Sequence, residues 1–172
     1  PRVAADGVAA VLSVANIRFA LTTGDYFSAV GPPSPFLHFW SLSVEEQFYL
    51  VWPALLFMLH RLGGARLLAV AVALIAAGSR LFALAVAEGA PTWAFYSLAT
   101  RAWQLALGGL LAIVALDRFR RSSLSVALAL AGWIGLAMVL SAGVLLDEFE
   151  AYPGLWALLP TLGAVALIAG GD

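Results

Sequence analysis

The stretch FLHFWSLSVEEQFYLVWPALLFML, Phe36 to Leu59, is long and apolar enough to cross a bilayer, yet it holds two adjacent carboxylates, Glu45 and Glu46. Crossing about 30 Å of hydrocarbon takes about 20 consecutive, mostly apolar residues in a helix, and this stretch supplies them. Pro53 lies inside it, and the missing amide donor predicts a kink. The rest of the chain has the same character: of 172 residues, 63% are hydrophobic and 11% charged, where a soluble domain carries about 25% charge. So few charges cannot cover the surface of a soluble domain, which excludes a soluble enzyme. Disorder is excluded as well, because disordered segments are poor in apolar residues and rich in charge. The expected fold is all-α, a polytopic transmembrane helical bundle of about five to six membrane helices.

Upstream, Gly7 to Leu21 is interrupted by Asn16 and Arg18, and its uninterrupted part is too short for a span, which makes it a candidate re-entrant or interfacial segment. The loop after it contains Gly31, Pro32, Pro33 and Pro35, which stop helices. Downstream, His60 to Arg66 reads as a polar link, followed by apolar stretches at Leu67 to Ala87, Trp93 to Leu116, Leu124 to Leu146 and Gly154 to Ala169. Arg61 and Arg66 follow the second stretch and Arg118, Arg120 and Arg121 the fourth, whereas Asp25, Glu88 and the trio Asp147, Glu148 and Glu150 occupy the intervening links. By the positive-inside rule the arginine links are cytoplasmic and the acidic ones external. Only the first stretch stays open, since a true span would put Arg2 inside and a re-entrant segment would put it outside. Gly108, Gly109, Ala112, Ala69, Ala73, Ala76 and Ala77 are small enough for close helix packing.

Bulk features exclude several chemistries. A net charge of −1 offers nucleic acid no basic face, and the absence of cysteine removes disulfides and thiol nucleophiles. The two histidines are far apart in sequence and the acids lack ligand spacing, so no metal motif is present. No signal peptide is visible, because the sequence shows no basic n-region leading into an apolar core.

Five charges remain inside apolar stretches: Arg18, Glu45, Glu46, Arg80 and Arg101. Each costs a few kcal/mol in hydrocarbon, so such residues face a cavity or one another. The orientation above puts all five toward one side of the membrane. In the second stretch His38, Ser41, Glu45 and Tyr49 fall within an arc of about 80° on a helix face, with Glu46 beside it and Ser43 and Gln47 pointing elsewhere. An imidazole, hydroxyl, carboxylate and phenol in such an arc could relay protons. An equally weighted reading makes Glu45 and Glu46 structural partners of Arg80 and Arg101. Trp40, Trp52, Trp93 and Trp103 read as belt or core aromatics. The arginine link at Arg118, Arg120 and Arg121 reads as a topology signal that could also meet donor phosphates.

The run FLHFWSLSVEEQFYLVWP, Phe36 to Pro53, strongly resembles the signature of the acyltransferase-3 family, integral membrane O-acyltransferases that modify bacterial surface glycans. VANIRFAL with DYF, TRAWQLALGGLLAI and LWALLPTLGAVALIAGGD resemble the family's flanking segments in the same order, so the likeness covers essentially all 172 residues. It implies that residues 1–172 are the middle portion of a single acyltransferase-3 membrane domain. The family's first helix, with an Arg and a His taken as catalytic base, and its closing His-containing segment are not in this sequence. On its own the segment is therefore expected to be inactive. Gln104 departs from the pattern, since many members have Glu there.

The implied reaction moves an acyl group, usually acetyl, from cytoplasmic acyl-CoA to a hydroxyl of a cell-surface or exported glycan. No bound cofactor is expected; acetyl-CoA is a donor substrate, and the partners are membrane lipid, donor and glycan in the bacterial cytoplasmic membrane. Glu45 would orient or balance the family's His, Glu46 and Gln47 would shape a polar cavity, and Arg80 and Arg101 would form its positive wall. The candidate catalytic residues are Glu45, Glu46, His38 and Ser41. The candidate substrate- or donor-binding residues are Arg80, Arg101, Gln47, Tyr49, Asn16 and Arg18. A polytopic transporter or channel with an intramembrane ion-pair site is the alternative. The lack of inverted repeats and the family resemblance count against it.

Overall fold

A computed structural model of the chain describes residues 2–22, 33–118, 125–145 and 154–171. Asp25, Arg120, Arg121, Asp147, Glu148 and Glu150, which carry much of the charge alternation, lie outside the described residues. Among the described residues the fold is all-helical, with no strand. Three helical segments are long and apolar enough to cross a membrane, Phe39–Ala87, Pro91–Val114 and Val126–Leu145, and Leu155–Gly170 is apolar but shorter.

The first apolar stretch is two short helices, α1 (Arg2–Val11) and α2 (Ala15–Thr22), separated at Ser13, whose φ is 57°. The helix begins earlier than the apolar pattern does, because Asp6 belongs to it: that carboxylate is 2% exposed. Ala10, Ala15, Phe19 and Ala20 pack with Phe95 and Tyr96, against which Phe36, Leu37 and Trp40 close.

Helix α3 (Phe39–Ala87) combines the second and third stretches. Helical dihedrals run through Pro53, and the break lies instead at Gly63 (φ −155°, ψ 19°) and Gly64 (φ 66°, ψ −165°). The polar link expected over residues 60–66 is thus reduced to two glycines. Gly64 occupies backbone space that is essentially closed to residues with a Cβ. The two arms run antiparallel. Arg101 of the following helix lies over the Trp40 ring, while Ser79 and Arg80 contact Ala99 and Trp103. A straight helix would hold Trp40 and Arg80 about 60 Å apart, whereas both meet neighbouring turns of one helix.

That helix is also divided. Pro91 opens α4 (Pro91–Tyr96), Ser97 is extended (φ −77°, ψ 137°), and α5 runs Leu98–Arg118. Val72, Ala76, Trp103, Ala106 and Ala157 form the core between α3 and α5, flanked by Trp52 and Leu56. Gly109, expected to permit close packing, faces the Trp52 indole; Gly108 faces open space. The tightest approach lies elsewhere, between α6 (Ser125–Leu145) and α7 (Leu158–Gly170), where Gly132 meets Gly170 and Gly135 meets Gly163, backbone on backbone.

Candidate functional site

A polar network joins the α1–α2 break to α3 and α4. Asn16, 2% exposed, pairs amide to amide with Gln47: Gln47 Nε2 donates to Asn16 Oδ1 at 2.8 Å and Asn16 Nδ2 to Gln47 Oε1 at 3.4 Å. Gln47 Nε2 also donates to the Ser13 carbonyl at 2.7 Å, and Asn16 Nδ2 to the Tyr96 carbonyl at 3.1 Å. Tyr96 ends α4, where the last carbonyls of a helix are open to side-chain donors. The Ala15 amide at the start of α2 donates to Ser43 Oγ at 3.3 Å. Ser13 Oγ donates to Glu46 Oε2. Asn16 and Ser43 are buried whereas Glu46 is exposed, so it is around the first two that removing a partner leaves a buried group unsatisfied, at a cost of about 1–3 kcal/mol.

Beside this network an aromatic cluster holds Arg101. Its guanidinium carbon lies 4.8 Å from the Trp40 ring centroid and 5.3 Å from that of Phe95. Trp40 stands edge-on to Tyr96, with centroids 5.4 Å apart at 88°. Arg80 covers Trp103 at 4.9 Å and donates from Nη2 to the Gly154 carbonyl at 3.1 Å. The Ser79 hydroxyl bridges one turn of α5, accepting from the Trp103 amide at 3.0 Å and donating to the Ala99 carbonyl at 2.7 Å. Cations stacked on ring faces away from water gain about 2 kcal/mol each.

The sequence-selected residues therefore divide. Asn16, Gln47 and Glu46 meet at the α1–α2 break, with Arg101 beside them through Trp40, Phe95 and Tyr96. Arg80 lies at the same end of α5. His38, Ser41, Glu45 and Tyr49 share the expected face and are all exposed, and the Ser41 hydroxyl donates to the His38 backbone carbonyl at 3.2 Å rather than to its imidazole. Among the described residues neither Glu45 nor Glu46 forms an ion pair with Arg80 or Arg101. Gln104 Nε2 donates to Thr161 Oγ1 at 3.2 Å, tying α5 to α7.

Arg18 stands apart from the carboxylate pair: its Nε meets Asp6 Oδ1 at 2.6 Å. It also borders a shallow apolar groove of about 330 Å³ lined by Val8, Leu12, Ile17 and Leu21. Asp6 lies just before the first apolar stretch, and an acid twelve positions ahead of the arginine inside that stretch was the available signal. Removing one member of a buried pair strands the other, which costs about 3–5 kcal/mol. Arg18→Met is therefore expected to lower the thermal midpoint in detergent sharply, and adding Asp6→Asn should restore most of it. Equal midpoints for the single and double variants would show that the pair does not hold α1 to α2.

The family model for the acyltransferase domain of acyltransferase-3 proteins matches residues 7–171. The peptidoglycan O-acetyltransferase OatA of Listeria monocytogenes is 35% identical over 112 residues, which is 63% of this chain and 18% of that protein. The O-acetyltransferase OatA of Staphylococcus aureus is 30% identical over 143 residues, 79% of this chain and 23% of that protein. The chain thus spans about a fifth of the length of these relatives. No solved structure gives a significant match.

Proposed function

This chain belongs to the acyltransferase-3 family of membrane O-acyltransferases, and from that membership we propose that it carries the polar site at which acetyl passes from acetyl-CoA to a hydroxyl of peptidoglycan or a related cell-surface glycan. The observation that carries the reading is that Glu46 and the Asn16–Gln47 amide pair meet at the α1–α2 break, and that Asn16 is linked through Tyr96 to the aromatic cluster on which Arg101 is stacked. Charged groups within apolar helices are costly and mark functional sites.

In this reading the arms of α3, with α5 and α6, cross the bacterial cytoplasmic membrane. Arg61 and Arg66 at the Gly63–Gly64 turn face the cytoplasm, and the polar site lies toward the outer side. The sugar hydroxyl attacks the thioester carbonyl as its proton passes to a base, and the tetrahedral adduct collapses with cleavage of the carbon–sulfur bond, the departing thiolate taking that proton back to leave CoA as the thiol. Arg101, with Arg80 nearby, offers positive charge to the tetrahedral oxyanion. Glu45, exposed one residue from the network, balances the imidazolium that forms on the His which the resemblance places ahead of Pro1.

The test is O-acetylation by the full-length protein in a host lacking its own enzyme, read as acetate released from the cell wall by mild base. Glu45→Gln is expected to lower it by about 100-fold, the lower end of the range for a group assisting proton transfer. A Glu45→Gln protein that inserts normally and acetylates at the unaltered rate would refute the assignment. Transport of acetyl groups without a CoA donor in sealed vesicles would favour the transporter reading.

A further inference from the structure

The α1–α2 break has a feature that folding alone does not require. The Val14 amide donates to the Ala9 carbonyl at 2.9 Å and the Ser13 amide to the Ala10 carbonyl at 3.1 Å. These are the two crossed bonds of a Schellman helix end, in which the residue at the position of Ser13 takes positive φ and glycine is strongly preferred. Here that residue is a serine at φ 57°. A non-glycine residue persists in such a conformation when its surroundings over-determine it. The surroundings are two adjacent residues of α3: Ser13 Oγ donates to Glu46, and the Ser13 carbonyl accepts from Gln47 at 2.7 Å.

We infer that Ser13 is the positioning residue of Glu46, its hydroxyl holding the carboxylate in one rotamer at the polar site. The inference rests on the reading of Glu46 as part of that site. A glutamate has three rotatable side-chain bonds, and fixing them costs conformational entropy unless a partner supplies the restraint. A serine at the helix end supplies that restraint with a donor that the preferred glycine lacks. Stability and function therefore ask for different residues at this position.

The test uses Ser13→Gly and Ser13→Ala in the full-length protein, with acetyl-CoA as donor and isolated cell wall as acceptor. Ser13→Gly removes the hydroxyl and the unfavourable Cβ together, so its thermal midpoint should equal or exceed that of the parent while kcat falls about tenfold and KM for acetyl-CoA is unchanged. Ser13→Ala, which keeps the Cβ, should lose the same activity. In a Glu46→Gln background neither change should lower turnover further, since residues acting through one contact are not additive. Parental kcat in either folded Ser13 variant, alongside an impaired Glu46→Gln, would overturn the inference while leaving the site reading intact. Losses that multiply with that of Glu46→Gln would also overturn it and make Ser13 merely structural. Parental turnover in Glu46→Gln would instead refute the site reading beneath it.

Discussion

Gly135→Leu is expected to separate α6 from α7 and deplete the protein from membranes, while Gly143→Leu on the same helix should accumulate normally. A Cβ at Gly135 would lie 2.5 Å from the Gly163 carbonyl oxygen and 2.6 Å from the Leu167 amide nitrogen. Both are backbone atoms of α7, so no rotamer change relieves the clash and the helices must move apart. The contact is reciprocal, for a Cβ at Gly163 would meet the Gly135 carbonyl at 2.9 Å. Among the described residues α7 is the one element that α6 packs against. In a bilayer, where lipid is as apolar as leucine, such close packing replaces the hydrophobic effect as the force that joins helices. Overpacking a core costs about 1–3 kcal/mol even where side chains can yield, so at least about 3 kcal/mol is expected here. That corresponds to a thermal midpoint lower by about 6–12 °C in detergent. Gly143 has nothing within 4 Å of its would-be Cβ, and leucine there should gain the usual helix preference over glycine. Equal membrane levels of the two variants would show that the α6–α7 contact does not hold the hairpin.

The contrast between those glycines shows what sequence could and could not disclose. Apolar stretches of spanning length are visible in composition alone, and the helical class with them. Close approach depends on which small residue faces which neighbour, so Gly108 and Gly109 resemble Gly135 and Gly163 until the helices are placed. Gly64 is similar: a polar link was legible from Arg61 and Arg66, but its reduction to two glycines depends on backbone dihedrals that composition does not encode. At the site, Glu46 and Arg101 were legible because charge is rare within apolar stretches. Ser13 was not, since one serine in an apolar run has no chemical distinction before the helix end gives it a left-handed backbone. Asp6 was missed because the apolar pattern begins after it, while its partner Arg18 is a full helix away.

Arg101→Gln in the full-length protein is expected to lower O-acetylation by about 100-fold, the loss typical of removing one preorganised oxyanion-stabilising donor, without a matching loss of protein. The geometry makes the more telling variant Arg101→Lys. The guanidinium lies over Trp40 at 4.8 Å and Phe95 at 5.3 Å, and those two rings are themselves 4.7 Å apart. A planar, delocalised cation can stack on such a surface and still direct N–H groups outward, whereas an ammonium on a flexible stem keeps the charge but loses the plane. Arg101→Lys should therefore lose about tenfold, intermediate between the parent and Arg101→Gln. Trp40→Leu should match it, because the platform rather than the charge is then missing. Trp40 also stands edge-on to Tyr96, whose carbonyl receives the Asn16 amide, so some stability loss accompanies that change and must be measured separately. The ratio of acetate formed to protein in the membrane separates the two effects. If Arg101→Lys acetylates at the parental rate per protein molecule, charge alone suffices and the stacked arrangement has no part in catalysis. If Arg101→Gln does so as well, the positive side of the site lies elsewhere, with Arg80 the residue to test next.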